Sequence, residues 1–462
     1  MWVVNESDHP LYSGVRIMND TIEKKTDRQE RIPHFSQEAV RNARIAVIGA
    51  GATGNEVLKC LALTGFRYVY ITDMDHISTS NLSRTVLFNE NDVGKRKAVT
   101  AAERFCGMSI DDSPVADYFD GDLCHGLGEG VIRHCDIVIG CVDNDQTRLF
   151  ISNICQLLSK PYIDIGIGGL NWNVFPASGK QDCACYACTL SQRQEARALN
   201  RIRNSCDVTR RKAASNGHVP TIGVSASAAA ALAVQEAIKI TQHQFDPESR
   251  FCYPRYGVLH LFDAEKNTLK NIRYDHIRHD CEHHDSYNSH GGVMETPMSA
   301  HWKLKDALRW VHEHYGKRYA MALYKDNVCA DRSFITSAFC VHCEKEISVF
   351  RPQPLQDEDL LCDECRSVGN IPIVPSNAAI KNWFSDHDEI RLQEMTLLEL
   401  GVPLMHILEF APEDGLGDSL YLELTGDMDE VMPNLSKPGE GGLQYGSIRY
   451  SNHAKTARSN WN

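Results

Sequence analysis

The chain has 462 residues, with 48 lysines and arginines against 61 aspartates and glutamates, a formal net charge of −13. That balance argues against broad nucleic-acid binding, which depends on basic side chains neutralising phosphates. It still allows a local basic pocket for a small phosphate ligand. No apolar run reaches the ~18 residues of a spanning helix, and the start MWVVNESDHPLYSG lacks the basic-then-apolar pattern of a signal peptide. We therefore expect no membrane partner and a cytoplasmic location. The 17 cysteines then read as metal ligands and core thiols rather than as a disulfide framework.

The length predicts two to three domains. Residues 1–40 are polar and read as a partly loose arm. RIAVIGAG is a short buried strand entering a glycine turn, and NEVLKCLALTG after it has helical apolar spacing with Gly65 as the stop. YVYITDMD, DIVIGCVDND and PYIDIGIGG read as further strands, with RLFISNICQLLSK as a helix between the last two. Strand and helix in alternation predict an α/β class, a doubly wound and mostly parallel sheet of the Rossmann type over 41–285. A crossover loop is expected at about 183–220, then a helix over about 222–243 and the strand YGVLHLFD. Residues 286–335 read as a linker followed by the amphipathic helix LKDALRWVHEHYG, 336–370 as a Cys-rich ribbon, 371–435 as a small C-terminal region, and 436–462 as a disordered tail.

The loop VIGAGATGNEV places Gly49, Gly51 and Gly54 in G-x-G-x-x-G spacing between a strand and a helix. The first glycine permits the tight turn, the second lets a phosphate approach the backbone, and the third lets helix and strand pack closely. The helix N-terminus offers free N–H groups to an anion. Asp73, at the end of the next strand, is placed to accept ribose hydroxyls, with Asp75 beside it. The loop alone does not separate NAD from ATP or S-adenosylmethionine. The residues after it, Asn81, Arg84 and Lys97, favour ATP, because fixed cations stabilise the charge that builds as a bond to pyrophosphate breaks. Asp143, at the end of another strand, suits Mg2+ held against phosphates. Each has a plainer reading: Arg84 and Lys97 as solvated charges, Asn81 as a turn residue and Asp143 as a helix cap.

Over roughly residues 25–285 the glycine loop, D-x-D, S-N-L-x-R and D-V-G-x-x-K-A follow one another in an order that resembles the ubiquitin-activating enzymes and their bacterial relatives, the adenylyltransferases of sulfur-carrier proteins. The resemblance implies ATP and Mg2+ as ligands. It gives Asp73 the ribose, Asn81 and Arg84 the nucleotide and its phosphates, Lys97 the reacting phosphate and Asp143 the Mg2+. Where the family has Gln after the arginine, this chain has Thr85. DRQERI resembles an upstream segment whose arginine reaches the phosphates, sometimes from a partner subunit; Arg28 is the candidate and Arg31 its rival. The implied substrate is the C-terminal carboxylate of a ubiquitin-like or sulfur-carrier protein, which is already ionised at neutral pH and needs no general base. A homodimer is implied as well.

CACYACTLS and RHDCEHHD supply Cys185, Cys188 and Cys281 with His284 in zinc-ligand spacing, and His283 as a substitute for the last ligand. CVHC and CDEC supply Cys340, Cys343, Cys362 and Cys365 in zinc-ribbon spacing. We expect two structural Zn2+ sites. Cys206, flanked in sequence by Arg201, Arg203, Arg210 and Arg211, sits where cations favour a thiolate. Activating relatives place a thioester-forming cysteine in such a loop, which implies transfer to a conjugating partner, as in bacterial ubiquitin-like conjugation systems, some of them acting in phage defence. Three alternatives stay open: an adenylyltransferase that stops at the adenylate and serves sulfur transfer, a non-catalytic partner subunit, and a nicotinamide oxidoreductase.

Overall fold

In the computed structural model, residues 24–203, 221–316, 319–323, 333–340, 343, 345–352, 362–366 and 379–436 are described. Strands β1 (Arg44–Ile48), β2 (Tyr68–Thr72), β3 (Val115–Phe119), β4 (Ile137–Gly140), β5 (Tyr162–Gly168), β6 (Asn171–Ala177), β7 (Val258–Asp263) and β8 (Thr268–Arg273) form one sheet. Their order is β3-β2-β1-β4-β5-β6-β7-β8. The five from β3 to β5 run parallel, and β6, β7 and β8 continue antiparallel. The α/β, mostly parallel sheet expected from the sequence is present.

Period-2 alternation assigns the strand side chains to two layers. Ile45 and Val47 of β1 face a core that includes Val57, Ala101 and Ala230, from the helices Ala52–Thr64, Lys97–Met108 and Gly223–Phe245. Ala46 and Ile48 face the opposite core, which includes Ile154 of the helix Asp145–Leu157. That second core continues without a break into Met298, Leu308, Phe334 and Phe410 of the C-terminal half.

The C-terminal half contains β9 (Val293–Thr296), β10 (Tyr319–Ala322), β11 (Phe334–Phe339), β12 (Glu346–Pro352), β13 (Ala379–Lys381), β14 (Trp383–Phe384), β15 (Ile407–Pro412) and β16 (Leu420–Leu424). Five of them form a sheet in the order β14-β10-β15-β16-β9, and β12-β11-β13 form a smaller one. Residues 286–300, read from composition as a linker, thus contain β9, which pairs parallel with β16 from Val293↔Tyr421 to Thr296↔Leu424. The segments 286–335 and 371–435, read separately, contribute strands to one sheet. The half docks on the short helix Glu129–Arg133 that precedes β4, through Gly130, whose N–H donates to the Met405 carbonyl at 2.8 Å. It also docks through Glu423, fully buried between Arg133 and His134, whose Nε2 lies 2.9 Å away.

Two other segments are more ordered than expected. Within 24–40, the helix Gln37–Asn42 is capped by Ser36, whose side chain accepts from the Ala39 N–H at 3.1 Å, and the Gln29 amide donates to the Thr64 carbonyl at 2.8 Å. In the expected crossover loop, residues Gln192–Arg203 form a helix. Its start is a capping box that the sequence S-Q-R-Q carries: the Ser191 N–H donates to Gln194 Oε1 at 3.0 Å, and the Gln194 N–H points back to Ser191 Oγ at 3.4 Å. Among the described residues no helix is long and apolar enough to cross a membrane.

Candidate nucleotide site and metal centres

The glycine loop leaves the C-terminal end of β1, between β2 and β4, where the chain turns to opposite sides of the sheet. Ligands bind outside the strand ends at such a point in doubly wound sheets. Gly49 has φ +97°, and a Cβ there would stand 2.7 Å from the Cys141 carbonyl oxygen. A Cβ on Gly54 would stand 1.9 Å from the Gly49 carbonyl oxygen, which is impossible without moving the loop. A Cβ on Gly51 would meet nothing within 4 Å. The three glycines therefore have three different jobs: turn, open face and tight packing. Gly54→Ala is expected to destabilise the chain by several kcal/mol, since overpacking against backbone costs about 1–3 kcal/mol or more. Gly51→Ala should keep the wild-type melting temperature but weaken nucleotide binding. Thermal melts and calorimetry on the two variants check the split.

Asp73 is tied to this loop. Its Oδ2 accepts from the Ala50 N–H at 2.7 Å and its Oδ1 from the Asp75 N–H at 2.8 Å. Burial raises the Asp73 pKa, against the opposing pull of Lys97 and those two N–H groups. Lys97 begins the helix Lys97–Met108; its Nζ donates to Asp75 Oδ2 at 2.8 Å, and its backbone N–H donates to the Asp75 carbonyl at 3.0 Å. Asp73, Asp75, Lys97 and the glycine loop thus form one hydrogen-bonded group.

Asn81 and Arg84 share the next turn. The Asn81 side chain accepts from the Ser78 N–H at 2.9 Å, and the Arg84 N–H donates to the Asn81 carbonyl at 3.0 Å. Arg84 Nη1 donates to the Ser80 carbonyl at 2.6 Å. Thr85, where the family has Gln, closes the turn through its hydroxyl on the Asn81 carbonyl at 3.0 Å. This segment is fastened to the glycine loop by Asn55, a residue the sequence reading passed over. Its amide donates to the Ala50 and Gly51 carbonyls at 2.8 and 3.0 Å, and its oxygen accepts from the Leu87 N–H at 3.0 Å. The signal was an asparagine on the buried face of a helix, where a polar side chain persists only with partners.

Asp143 is exposed just past the end of β4, beside the Cys141 carbonyl that crowds Gly49. It does not cap the following helix. Asn144 does, accepting from the Thr147 N–H at 2.8 Å. Arg148 fixes this loop from below, a role also missed in the sequence. Its guanidinium donates to the Val142 and Ile165 carbonyls at 2.9 and 3.0 Å and to Asp164 at 2.8 Å. Burial, the largest single influence, works against the Arg148 charge, but Asp164 together with Tyr186, Tyr162 and Asp145 outweighs it and raises the pKa.

Arg28 is not brought to this group. It is exposed on the helix Asp27–Glu30, which docks through Gln29 on Thr64, the far end of the helix that starts at the glycine loop. At 1.5 Å per residue the helix separates the two by roughly 18 Å. Its rival Arg31 is paired with Asp27 at 2.6 Å. Cys206 lies outside the described residues.

Both predicted metal-ligand sets converge. In each, one ligand atom per residue lies within 4.8 Å of all the others. Cys185 Sγ is 3.8 Å from Cys188 Sγ and 3.7 Å from Cys281 Sγ, and Cys188 Sγ is 3.2 Å from His284 Nε2. Zn–S bonds of about 2.3 Å in a tetrahedron put sulfurs about 3.8 Å apart, so the donors fit a closed zinc site. His283 is not the fourth ligand: its Nε2 faces Glu195 at 2.9 Å. In the second set Cys343 Sγ and Cys362 Sγ are 3.7 Å apart, and the four thiols fit an all-cysteine site equally well.

The chain is 36% identical over 157 residues to the SUMO-activating enzyme subunit uba-2 of Caenorhabditis elegans, covering 33% of this chain and 26% of that one. It is 34% identical over 199 residues to the NEDD8-activating enzyme E1 catalytic subunit of the same organism, covering 37% of this chain and 43% of that one. The chain thus spans less than half the length of these relatives. Its structure is also similar to that of E. coli MccB with ATP, at 20% identity and a TM-score of 0.45, over 58% of this chain and 75% of that one. The match to the ThiF family runs over residues 25–283, from the short helix before β1 to the segment carrying Cys281. On that extent, more than half its length, the chain belongs to the ThiF family.

Proposed function

We propose that the chain is an ATP-dependent adenylyltransferase acting on the C-terminal carboxylate of a ubiquitin-like or sulfur-carrier protein. The observation that carries this reading is the joined group of glycine loop, Asp73, Asp75 and Lys97 at the ends of β1 and β2, with the open face of Gly51 before it. Asp73 holds the ribose hydroxyls. The N–H groups of the loop, with Asn81 and Arg84, bind the triphosphate. A carboxylate oxygen of the carrier attacks the α-phosphorus, the bond from that phosphorus to the bridging oxygen breaks, and pyrophosphate leaves with the electron pair. Lys97 and Arg84 stabilise charge on the phosphates as that bond breaks. Mg2+, held by Asp143, would supply further neutralisation. The rest of catalysis is alignment. Zn2+ in the two cysteine clusters ties together the segments that bear them.

In the full reading the Cys206 thiolate then attacks the acyl carbon of the adenylate, AMP leaves, and the thioester passes the carrier to a conjugating partner. Arg28 serves the site only from a second copy, in a homodimer. Mixing the chain with Mg·ATP and candidate carriers, followed by mass spectrometry, should reveal an adenylated carrier terminus and a carrier–chain adduct. Cys206→Ala should abolish the adduct and keep pyrophosphate exchange. An adduct that persists in that variant removes Cys206 from the pathway, and adenylate without any adduct favours the sulfur-transfer alternative.

A further inference from the structure

The helix Asp145–Leu157 carries the Asp143 loop at its N-terminus and is bound along one side to the Cys185/Cys188/Cys281/His284 cluster. Three contacts make that attachment. The Tyr186 hydroxyl donates to Asp145 Oδ1 at 3.1 Å, the Tyr186 N–H donates to Ser152 Oγ at 3.2 Å, and the Gln156 amide meets His284 Nδ1 at 3.0 Å. Asp145, Ser152 and Gln156 are spaced seven and four residues apart, so they form one stripe of the helix. That stripe runs from the nucleotide end to the metal end, roughly 16 Å at 1.5 Å per residue. Tyr186 is the link between the ends. It lies between Cys185 and Cys188 in sequence, is buried with 6% exposure, and begins a single helical turn whose cap is Cys185 itself. A metal that draws the four ligands together fixes that turn, and the turn fixes the tyrosine.

We propose that Tyr186 is a positioning residue for the nucleotide site, through which this cluster of three cysteines and a histidine sets the register of the helix that presents Asp143 and Asn144. The proposal rests on the nucleotide reading given above and adds a coupling to it. A cluster that only joined distant parts of the chain would not need a buried phenol reaching the first turn of that helix. The hydroxyl contributes nothing to the ligand set, so Tyr186→Phe removes the link and leaves the cluster.

The test is calorimetric titration of Mg·ATP into the full chain, alone, with bound zinc measured in parallel. Tyr186→Phe and Asp145→Ala should each weaken Mg·ATP binding about fivefold, the equivalent of one net hydrogen bond, and raise the Mg2+ concentration needed for half-saturation. The double variant should lose no more than either single one, because both remove the same link. Zinc content should equal that of wild type in all three. Unchanged Mg·ATP affinity in both single variants, with wild-type zinc, overturns the coupling while leaving the nucleotide reading intact. Additive losses in the double variant overturn it too. A wild-type chain that does not bind Mg·ATP overturns both. If Tyr186→Phe loses its zinc, Asp145→Ala, which alters no residue of the ligand segment, decides alone.

Discussion

Replacing Lys97 with glutamine is expected to lower the rate of pyrophosphate exchange by about 10²–10³, the loss seen when one oriented donor to developing charge is removed. Lys97 is tied to Asp75 twice: its Nζ donates to Asp75 Oδ2 at 2.8 Å, and its backbone N–H donates to the Asp75 carbonyl at 3.0 Å. Only 10% of the side chain is exposed, so water screens it little. It also begins a helix, whose N-terminal dipole adds to the positive potential. The loss should appear in kcat more than in KM, because the charge it meets grows only as the bond to pyrophosphate breaks. A second effect has a definite sign. Burial raises the Asp73 pKa and Lys97 holds it back; without that cation the pKa rises further, and the acid limb of Mg·ATP binding moves to higher pH. A variant with the wild-type exchange rate would remove Lys97 from the reaction.

Arg148→Met should cost about 3–5 kcal/mol of stability, the penalty for leaving one member of a buried ion pair behind. Its partner Asp164 has a side-chain exposure of 1% and, among the described residues, would keep only the Tyr162 hydroxyl, at 2.8 Å. The Val142 and Ile165 carbonyls lose their donors at the same time. The pH dependence follows from linkage. Burial already raises the Asp164 pKa, with Arg148 opposing, so the variant raises it further above its unfolded value. The folded variant then binds a proton more tightly than the folded wild type, and its deficit grows as pH climbs from the wild-type folded value of Asp164, itself raised, to the higher value in the variant. Denaturant unfolding at several pH values should give a smaller difference from wild type in acid than at neutrality. A pH-independent difference would mean that the cost lies in the carbonyls and the packing, not in the stranded carboxylate.

Much of the site was legible because its information is local. G-x-G-x-x-G between a strand and a helix, an acid at the next strand end, and paired cysteines at ligand spacing are each contained in short windows; the structure joins the first two where β1 and β2 end and gathers the cysteines into two separate clusters. The choice between His283 and His284 was not local. It depends on Glu195, far away in sequence, taking the first of them. Asn55, Arg148 and Tyr186 were hidden for a related reason. Each looks like an ordinary polar residue in a helix until the chain brings its distant partners to it. The C-terminal half was the least legible. β9 reads as linker because its four residues are flanked by Gly, Ser and Pro, and only its pairing with β16, more than a hundred residues later, makes it a strand.

That same pairing dictates an order of assembly. Every strand of the eight-stranded sheet has been made by Arg273, yet the layer beneath helix Asp145–Leu157 shares its apolar cluster with Phe410 and Met432. While a ribosome adds the intervening stretch, at roughly 5–20 residues per second, the nascent polypeptide displays an uncovered greasy flank. Closing so long a loop afterwards is thermodynamically cheap, because its entropy grows only logarithmically with length. The vulnerability is therefore temporal, and a holdase that shields the flank during translation would raise the yield of native chain without altering its final stability.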